Sequence, residues 1–415
     1  MAKFLKIISR KIYVLEFKIY SFYLKIKSYI KYYFIISRKL RTDLYSRIKI
    51  LSPRKDLKNY KKIFIFVSFS EKLSDSSKCL LKIIDESGYG IVHVNNRKTA
   101  KSDVQFLINL DCLVIDRINL GRDFGAYKDI FLYLNQNDIL PNLEYLGFVN
   151  DSIQFIPGKN ASSLKNKIID FEQTDSLALF SHHSYQISSH YQSFFKILKK
   201  DIFNLKSYKN FWKKYKSLDF KQHLIENGEI ALSTLFYNSI KNPTILYSTN
   251  KFAKSINENN INNFGKEFKH TYIKSLFPSL ESKILKGVIK KIPNAEFLKS
   301  EDILLKDIKA YKEFQFSLFQ IIENSNPSHV AAFLYPVFLD CPFIKKDLAL
   351  SGTYSISTCS KLYRSCLKNS LNLSQEKGKN LFNSLAKEYD LLLSQKGTPY
   401  SYKDKKYDYF KLGLT

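Results

Sequence analysis

Asn119-Leu-Gly-Arg-Asp-Phe-Gly-Ala-Tyr127 is the stretch on which the reading of this chain turns. An apolar run, Cys112-Leu-Val-Ile115, precedes it, and a segment with helical spacing, Tyr127 to Leu134, follows. The order is strand, tight polar turn, helix. Further along, a second strand-like run, Tyr145-Leu-Gly-Phe-Val149, stops abruptly at Asn150-Asp151-Ser152. Upstream, Lys62-Ile-Phe-Ile-Phe-Val67 has the continuous apolar character of a strand buried on both faces, and ends in Ser68-Phe69-Ser70. Ile91-Val-His-Val94 ends likewise in Asn95-Asn96. Strands alternating with helices at this pace predict an α/β fold with a mostly parallel sheet flanked by helices. In such sheets the ligand crevice opens beyond the carboxyl ends of the strands. Ser68, Asn95, Asn119 and Asn150 are therefore expected along one edge.

Outward from this core, the pattern divides the chain into a basic helical segment (1–57), a catalytic-type α/β domain (58–285) and a mostly helical C-terminal region (286–415). In residues 1–50 only Glu16 and Asp43 are acidic, and no Pro or Gly interrupts the run. Lys11, Lys18 and Lys25 recur every seven residues, on one helical face. This predicts a long amphipathic helix suited to an anionic membrane surface, with lysine stems reaching to the headgroups. Residues 52–56 read as a hinge. Residues 71–87 read as a helix, and Leu177-Ala-Leu-Phe180 as a further strand. Ser189-His-Tyr-Gln-Ser-Phe194 is expected to open a helix, as is Gly228-Glu229-Ile-Ala-Leu-Ser233. Residues 400–415 are polar, basic and tyrosine-rich, the composition of a frayed tail.

The 415 residues carry a formal net charge of +28, which predicts attraction to phosphate-bearing partners. Five scattered cysteines with no CxxC pair exclude a zinc-ribbon reading and fit a reduced compartment. No apolar run has the length of a membrane span, and no secretory signal is evident at the N-terminus.

The polar clusters have distinct chemical uses. Gly121 permits a tight turn and close approach to a ligand. Arg122 can pair with a phosphate, and Asp123 can bind a ligand or cap the helix that follows. Asn150, Asp151 and Ser152 end a strand where a diphosphate would need its charge offset. Asp151 is there the one carboxylate that could hold Mg2+ or Mn2+, with Asn150 and Ser152 as neutral ligands, and the sequence leaves the involvement of a metal open. Glu229 suits a general base for an acceptor hydroxyl. His190 and Gln192 are candidates for the acceptor side of the pocket.

Taken together, 119–127, 150–152, 189–194 with Phe211-Trp212, Glu229-Ile-Ala-Leu-Ser233 and Pro342-Phe-Ile-Lys345 resemble the rhamnan synthesis protein F family, and more broadly the nucleotide-binding half of GT-A glycosyltransferases. The resemblance spans roughly residues 60–350. It implies a GT-A-like fold and transfer of a sugar from a nucleotide-sugar donor to a cell-surface glycan. The acceptor would be a glycan or lipid-linked glycan at the cytoplasmic face of the inner membrane. It implies that Ser68, Asn95, Asn119, Gly121, Arg122, Asp123, Asn150 and Ser152 line the donor pocket, with Asp151 and Glu229 catalytic. Asn-Asp-Ser departs from the Asp-x-Asp metal motif, so donor phosphates would lean on Arg122 or lysines. The rival readings are a non-catalytic scaffold of a polysaccharide complex and a basic nucleic-acid-binding protein. The second explains the charge but not why polar clusters end successive buried strands.

Overall fold

In the computed structural model, residues 2–52, 57–186, 188–255, 319, 322–348, 354 and 356–396 are described. The expected hinge at 53–56, the region 256–318 and the tail at 400–415 lie outside them. Twelve strands are described: β1 (Ile48–Ile50), β2 (Lys62–Ser68), β3 (Gly90–Asn95), β4 (Leu113–Arg117), β5 (Tyr145–Asn150), β6 (Ile153–Phe155), β7 (Ala178–Phe180), β8 (His183–Ser184), β9 (His190–Tyr191), β10 (Phe195–Lys199), β11 (Thr244–Ile245) and β12 (Phe343–Lys345). Eight form one sheet in the order β1-β4-β3-β2-β5-β10-β7-β11. The run β4-β3-β2-β5 is parallel, as is β7 with β11, while β1 and β10 run antiparallel to their neighbours. The fold is α/β, mostly parallel, as the alternation predicts.

Strand β2 shows why. Six of its seven residues are buried, and they alternate between two cores. Phe64 and Phe66 face one cluster, which the Asp75–Glu86 and Lys159–Glu172 helices cover with Leu80, Leu81, Leu164 and Ile168. Ile63, Ile65 and Val67 face the other, covered by the Arg122–Gln136, Lys206–Lys214 and Ala231–Ser239 helices through Phe124, Trp212 and Phe236. A strand apolar on both faces is stable only between two helical layers. The helical C-terminal region packs on the first layer. Its Glu388 accepts from the backbone N–H of Asp75 (2.6 Å) and from Gln154 Nε2 (2.8 Å), so a carboxylate meets a helix N-terminus.

Four local expectations are corrected. The N-terminal helix runs Ala2–Ile30 rather than toward residue 50; a π turn (Lys31–Ile35), a short helix started by Ser37 (Arg38–Thr42) and β1 follow. The helix expected from residue 71 starts at Asp75, where Ser74 Oγ accepts from the Ser77 N–H. Residues 189–194 open no helix: β9 pairs with β8, and the chain then enters β10, which finds partners on both sides in β5 and β7. That pairing outweighs local propensity. Glu229 does not begin a helix but lies in a π-helical stretch, Leu224–Ile230, that continues into Ala231–Ser239.

One buried charge cluster ties the layers together. Asp129 accepts from Arg47 (Nε 3.0 Å, Nη2 2.6 Å) and from Arg117 Nε (2.6 Å). Arg117 also donates to Asn96 Oδ1 and Leu120 O, so β4 grips the turn that precedes Gly121.

Candidate functional site

The strand order sets the location. With β2 central and chain progression running outward through β3 and β4, then jumping back to β5, the topological switch lies between β2 and β5. There the connections leave in opposite directions and a crevice opens. The ends of these two strands are tied together: Asp151 donates its N–H to Val67 O and accepts the Phe69 N–H on Oδ2, both at 2.9 Å. Asn150 reaches both ways. Its Nδ2 donates to Asp123 Oδ2 (2.8 Å), and its Oδ1 accepts from Ser152 N–H (3.1 Å) and Oγ (2.6 Å). Asp123, Asn150, Asp151 and Ser152 are therefore brought into one constellation.

Gly121 makes the turn feasible. Its φ is 76°, and a Cβ there would meet Ser217 Cα at 2.5 Å. Its N–H donates to Asp219 Oδ1 (2.8 Å). Gly125, four residues on, sits where a Cβ would fall 2.0 Å from Leu120 O. Arg122 is exposed on left-handed backbone (φ 54°).

Sequence reasoning missed two lysines here. Lys345 is delivered by β12, whose pairing with β6 sets it opposite Ile153; its Nζ donates to Ser152 Oγ (3.1 Å) and lies 4.8 Å from the Phe194 ring. Lys196, on β10, is only 1% exposed. Its Nζ lies over Tyr127 (4.9 Å) and Phe148 (4.8 Å), and donates to Ser193 O (3.4 Å). Burial lowers its ammonium to about 8, while Asp123 and Glu229 act to keep it charged. The signals were present: a lysine inside the apolar run Phe195-Lys-Ile-Leu198, and Pro342-Phe-Ile-Lys345 itself.

The carboxylates complete the set. Burial raises the Asp123 carboxyl, and the negative charge of Glu229 raises it further. Glu229 accepts a hydrogen bond from Ser193 Oγ. Tyr127, fully buried, has its phenol pushed well up by burial and then by Asp123, so it stays protonated. Burial and the like charge of Glu229 thus act on Asp123 in one direction, and the Lys345 cation acts against them.

Other expected residues are placed differently. Ser68 is buried against His93 (Oγ to Nε2 3.1 Å). Asn95 spends its amide on the turn that follows it, donating to Ser70 O (2.9 Å) and Thr99 Oγ1 (3.3 Å) and accepting the Arg97 N–H. Asn119 is partly exposed, yet its Oδ1 is shielded and, among the described residues, has no hydrogen-bond partner. His190 and Gln192 are buried and paired with each other (3.0 Å), with His190 Nδ1 on Ser188 O (2.7 Å). These five are not joined by hydrogen bonds to the Asp123–Ser152 constellation. A cleft of about 440 Å³ opens further along the same edge, beyond β7 and β11. Its lining includes His183, Tyr185, Thr244, Thr249 and Glu323, and none of the expected residues.

A resident divalent cation needs several oxygens, commonly with more than one carboxylate. Among the described residues no three His, Cys, Asp or Glu side chains gather as such a set, and one oxygen of Asp151 is committed to the Phe69 N–H. Among the described residues, these groups do not form a built cation site.

Comparison with known proteins gives two findings. An uncharacterized protein, y4gN, of Sinorhizobium fredii (strain NBRC 101917 / NGR234) is 29% identical over 151 residues, covering 36% of this chain and 38% of that protein. The aligned part thus spans well under half of the relative. The family model described as rhamnan synthesis protein F matches residues 91–337, which is more than half of the chain and includes all of β3 but Gly90, β4 to β11 and the whole Gly121–Ser152 constellation. The chain belongs to the rhamnan synthesis protein F family.

Proposed function

We propose that this protein is a glycosyltransferase that moves a sugar from a nucleoside-diphosphate donor to a growing cell-surface polysaccharide of rhamnan, O-antigen or capsule type. The observation that carries the reading is the meeting of Asp123, Asn150, Asp151 and Ser152 at the β2/β5 switch, with Lys345 on Ser152, in a chain of a polysaccharide-synthesis family. Short polar side chains at a strand-end crevice suit sugar hydroxyls, and Lys345 with Arg122 supplies cationic charge for a diphosphate.

In this reading Glu229 takes the proton of the acceptor hydroxyl, and Ser193 fixes the carboxylate that does so. The acceptor oxygen attacks the anomeric carbon from the face opposite the diphosphate. The new C–O bond forms as the bond to the leaving phosphate oxygen breaks, with that oxygen keeping the electron pair, and the configuration inverts. Offsetting the leaving charge is the main electrostatic task. Lysines and Arg122 serve it, and no step runs through a metal ion. Asp123, with its raised carboxyl, orients Asn150 and stands beside the base. The cleft beyond β7 and β11, with exposed Tyr185, is the acceptor side.

The test is a transfer assay with nucleoside-diphosphate sugars and a polyprenyl-diphosphate-linked glycan, read as a mass gain of one sugar. Transfer that Glu229→Gln slows by roughly 10²–10⁴-fold is expected. Donor binding without transfer to any acceptor would favour the scaffold reading, and neither binding nor transfer would overturn the proposal.

A further inference from the structure

The Ala2–Ile30 helix presents an apolar stripe to solvent. Leu15, Ile19, Phe22, Ile26 and Ile30 are 60, 62, 63, 43 and 48% exposed, at helical spacings that keep them on one face. The stripe continues into the π turn with Phe34 and Ile35, exposed by 83 and 73%. Exposed lysines border it: Lys18 and Lys25 on one flank and Lys27 on the other. The opposite face is fixed to the protein. Ser28 is buried, Ser21 Oγ accepts from Gln222 Nε2 (3.2 Å), and Lys216 Nζ lies 5.4 Å from the Tyr33 ring. No acidic residue lies between Glu16 and Asp43. Among the described residues no helix is long and apolar enough to cross a membrane. A stripe of this kind, flanked by lysines and held parallel to the protein surface, is the geometry of a helix that lies in a headgroup layer. The scarcity of acids, with Glu16 alone along the stripe, and the overall charge select an anionic lipid over a neutral one or an acidic-rimmed protein groove.

The π turn that continues this helix touches the candidate site. Lys31 Nζ pairs with Asp219 Oδ2 (2.7 Å), and Asp219 Oδ1 accepts the Gly121 N–H (2.8 Å). Asp219 therefore holds the end of the exposed stripe with one oxygen and the Gly121 turn with the other.

We propose that this helix docks the protein on an anionic lipid surface and that the Lys31–Asp219–Gly121 link carries the docking to the turn of the site. The lipid contact stands by itself. Its relevance to catalysis rests on the donor reading above.

The experiment is co-sedimentation of the full chain with phosphatidylglycerol/phosphatidylcholine vesicles, followed by hydrogen exchange at Gly121. Wild type should partition at least tenfold more strongly onto anionic than onto pure phosphatidylcholine vesicles. Phe22→Gln with Ile26→Gln, both at exposed positions, should remove most of that binding. Equal binding to both vesicle types, or an unaffected variant, would overturn the docking. So would a dimer in solution that the variant dissociates, since a second copy would then cover the stripe. Vesicles should slow exchange at Gly121 in wild type, and Lys31→Gln should keep the binding but lose the slowing. Binding with no change at Gly121 in wild type would overturn the link and leave both the lipid contact and the donor reading standing.

Discussion

Asp123 and Asp129 stand on one helix, less than two turns apart, and their surroundings differ in kind. Asp129 is 1% exposed and meets two guanidinium groups. The remaining donors of those groups are also placed: Arg47 Nη1 donates to Leu40 O (2.8 Å) and Asp43 O (3.2 Å), and Arg117 donates to Asn96 and Leu120. The cluster is closed, and it sets the turn before Gly121. Asp123 receives a neutral amide and a backbone N–H, faces the like charge of Glu229, and has its carboxyl raised. A cluster whose hydrogen bonds are filled fixes the scaffold, and a carboxyl facing a like charge keeps capacity for a ligand. Perturbed carboxyls in a crevice are where chemistry is sought.

This contrast can be broken in several ways. Asp129→Asn leaves two guanidinium groups buried without a counter-charge, so stability should fall by about 3–5 kcal/mol, measured by denaturant unfolding. A loss below about 1 kcal/mol would mean that the cluster is not what ties the layers. Glu229→Gln should leave the unfolding midpoint near that of wild type and cut the transfer rate by roughly 10²–10⁴-fold. A variant that instead unfolds would move Glu229 to the structural side of the comparison.

Lys196 sharpens it through pH. Its folded-state value is lowered to about 8 from 10.5, so between these the unfolded chain binds more protons and wild-type stability rises with pH. Lys196→Met should flatten this rise, as read from unfolding free energies at a series of pH values between about 8 and 10.5. An unchanged slope would show that the ammonium is not penalised by its burial. The smallest effect belongs to the exposed Arg364–Asp390 pair, with side chains 41 and 38% exposed. Arg364→Ala should cost about 0–1 kcal/mol, and salt should screen what there is.

Much of the sheet was legible because a strand buried on both faces leaves a continuous apolar run. β2, β3, β4 and β5 were each expected from such a run, and their polar ends gave Asn150, Asp151 and the 119–127 turn. What was not legible depends on pairings between distant segments. β10 was hidden because 189–194 was read as opening a helix, and with it went Lys196. Lys345 enters only through the β12–β6 pairing, which sequence spacing does not reveal. Asn95 and His190 show a different aspect: polar residues at strand ends whose side chains bond residues close by in the chain. The residue type advertised a site, but the local partners decide whether any capacity is left for one.

The most direct measurement is a calorimetric titration of nucleoside-diphosphate sugars into wild type and Lys345→Ala. One donor should bind wild type, and its Kd should rise at least about tenfold in the variant, since a hydrogen bond to a charged group contributes roughly 1.5–3 kcal/mol. A donor bound equally by both proteins, or no donor bound by wild type, would contradict a diphosphate site at the β2/β5 crevice.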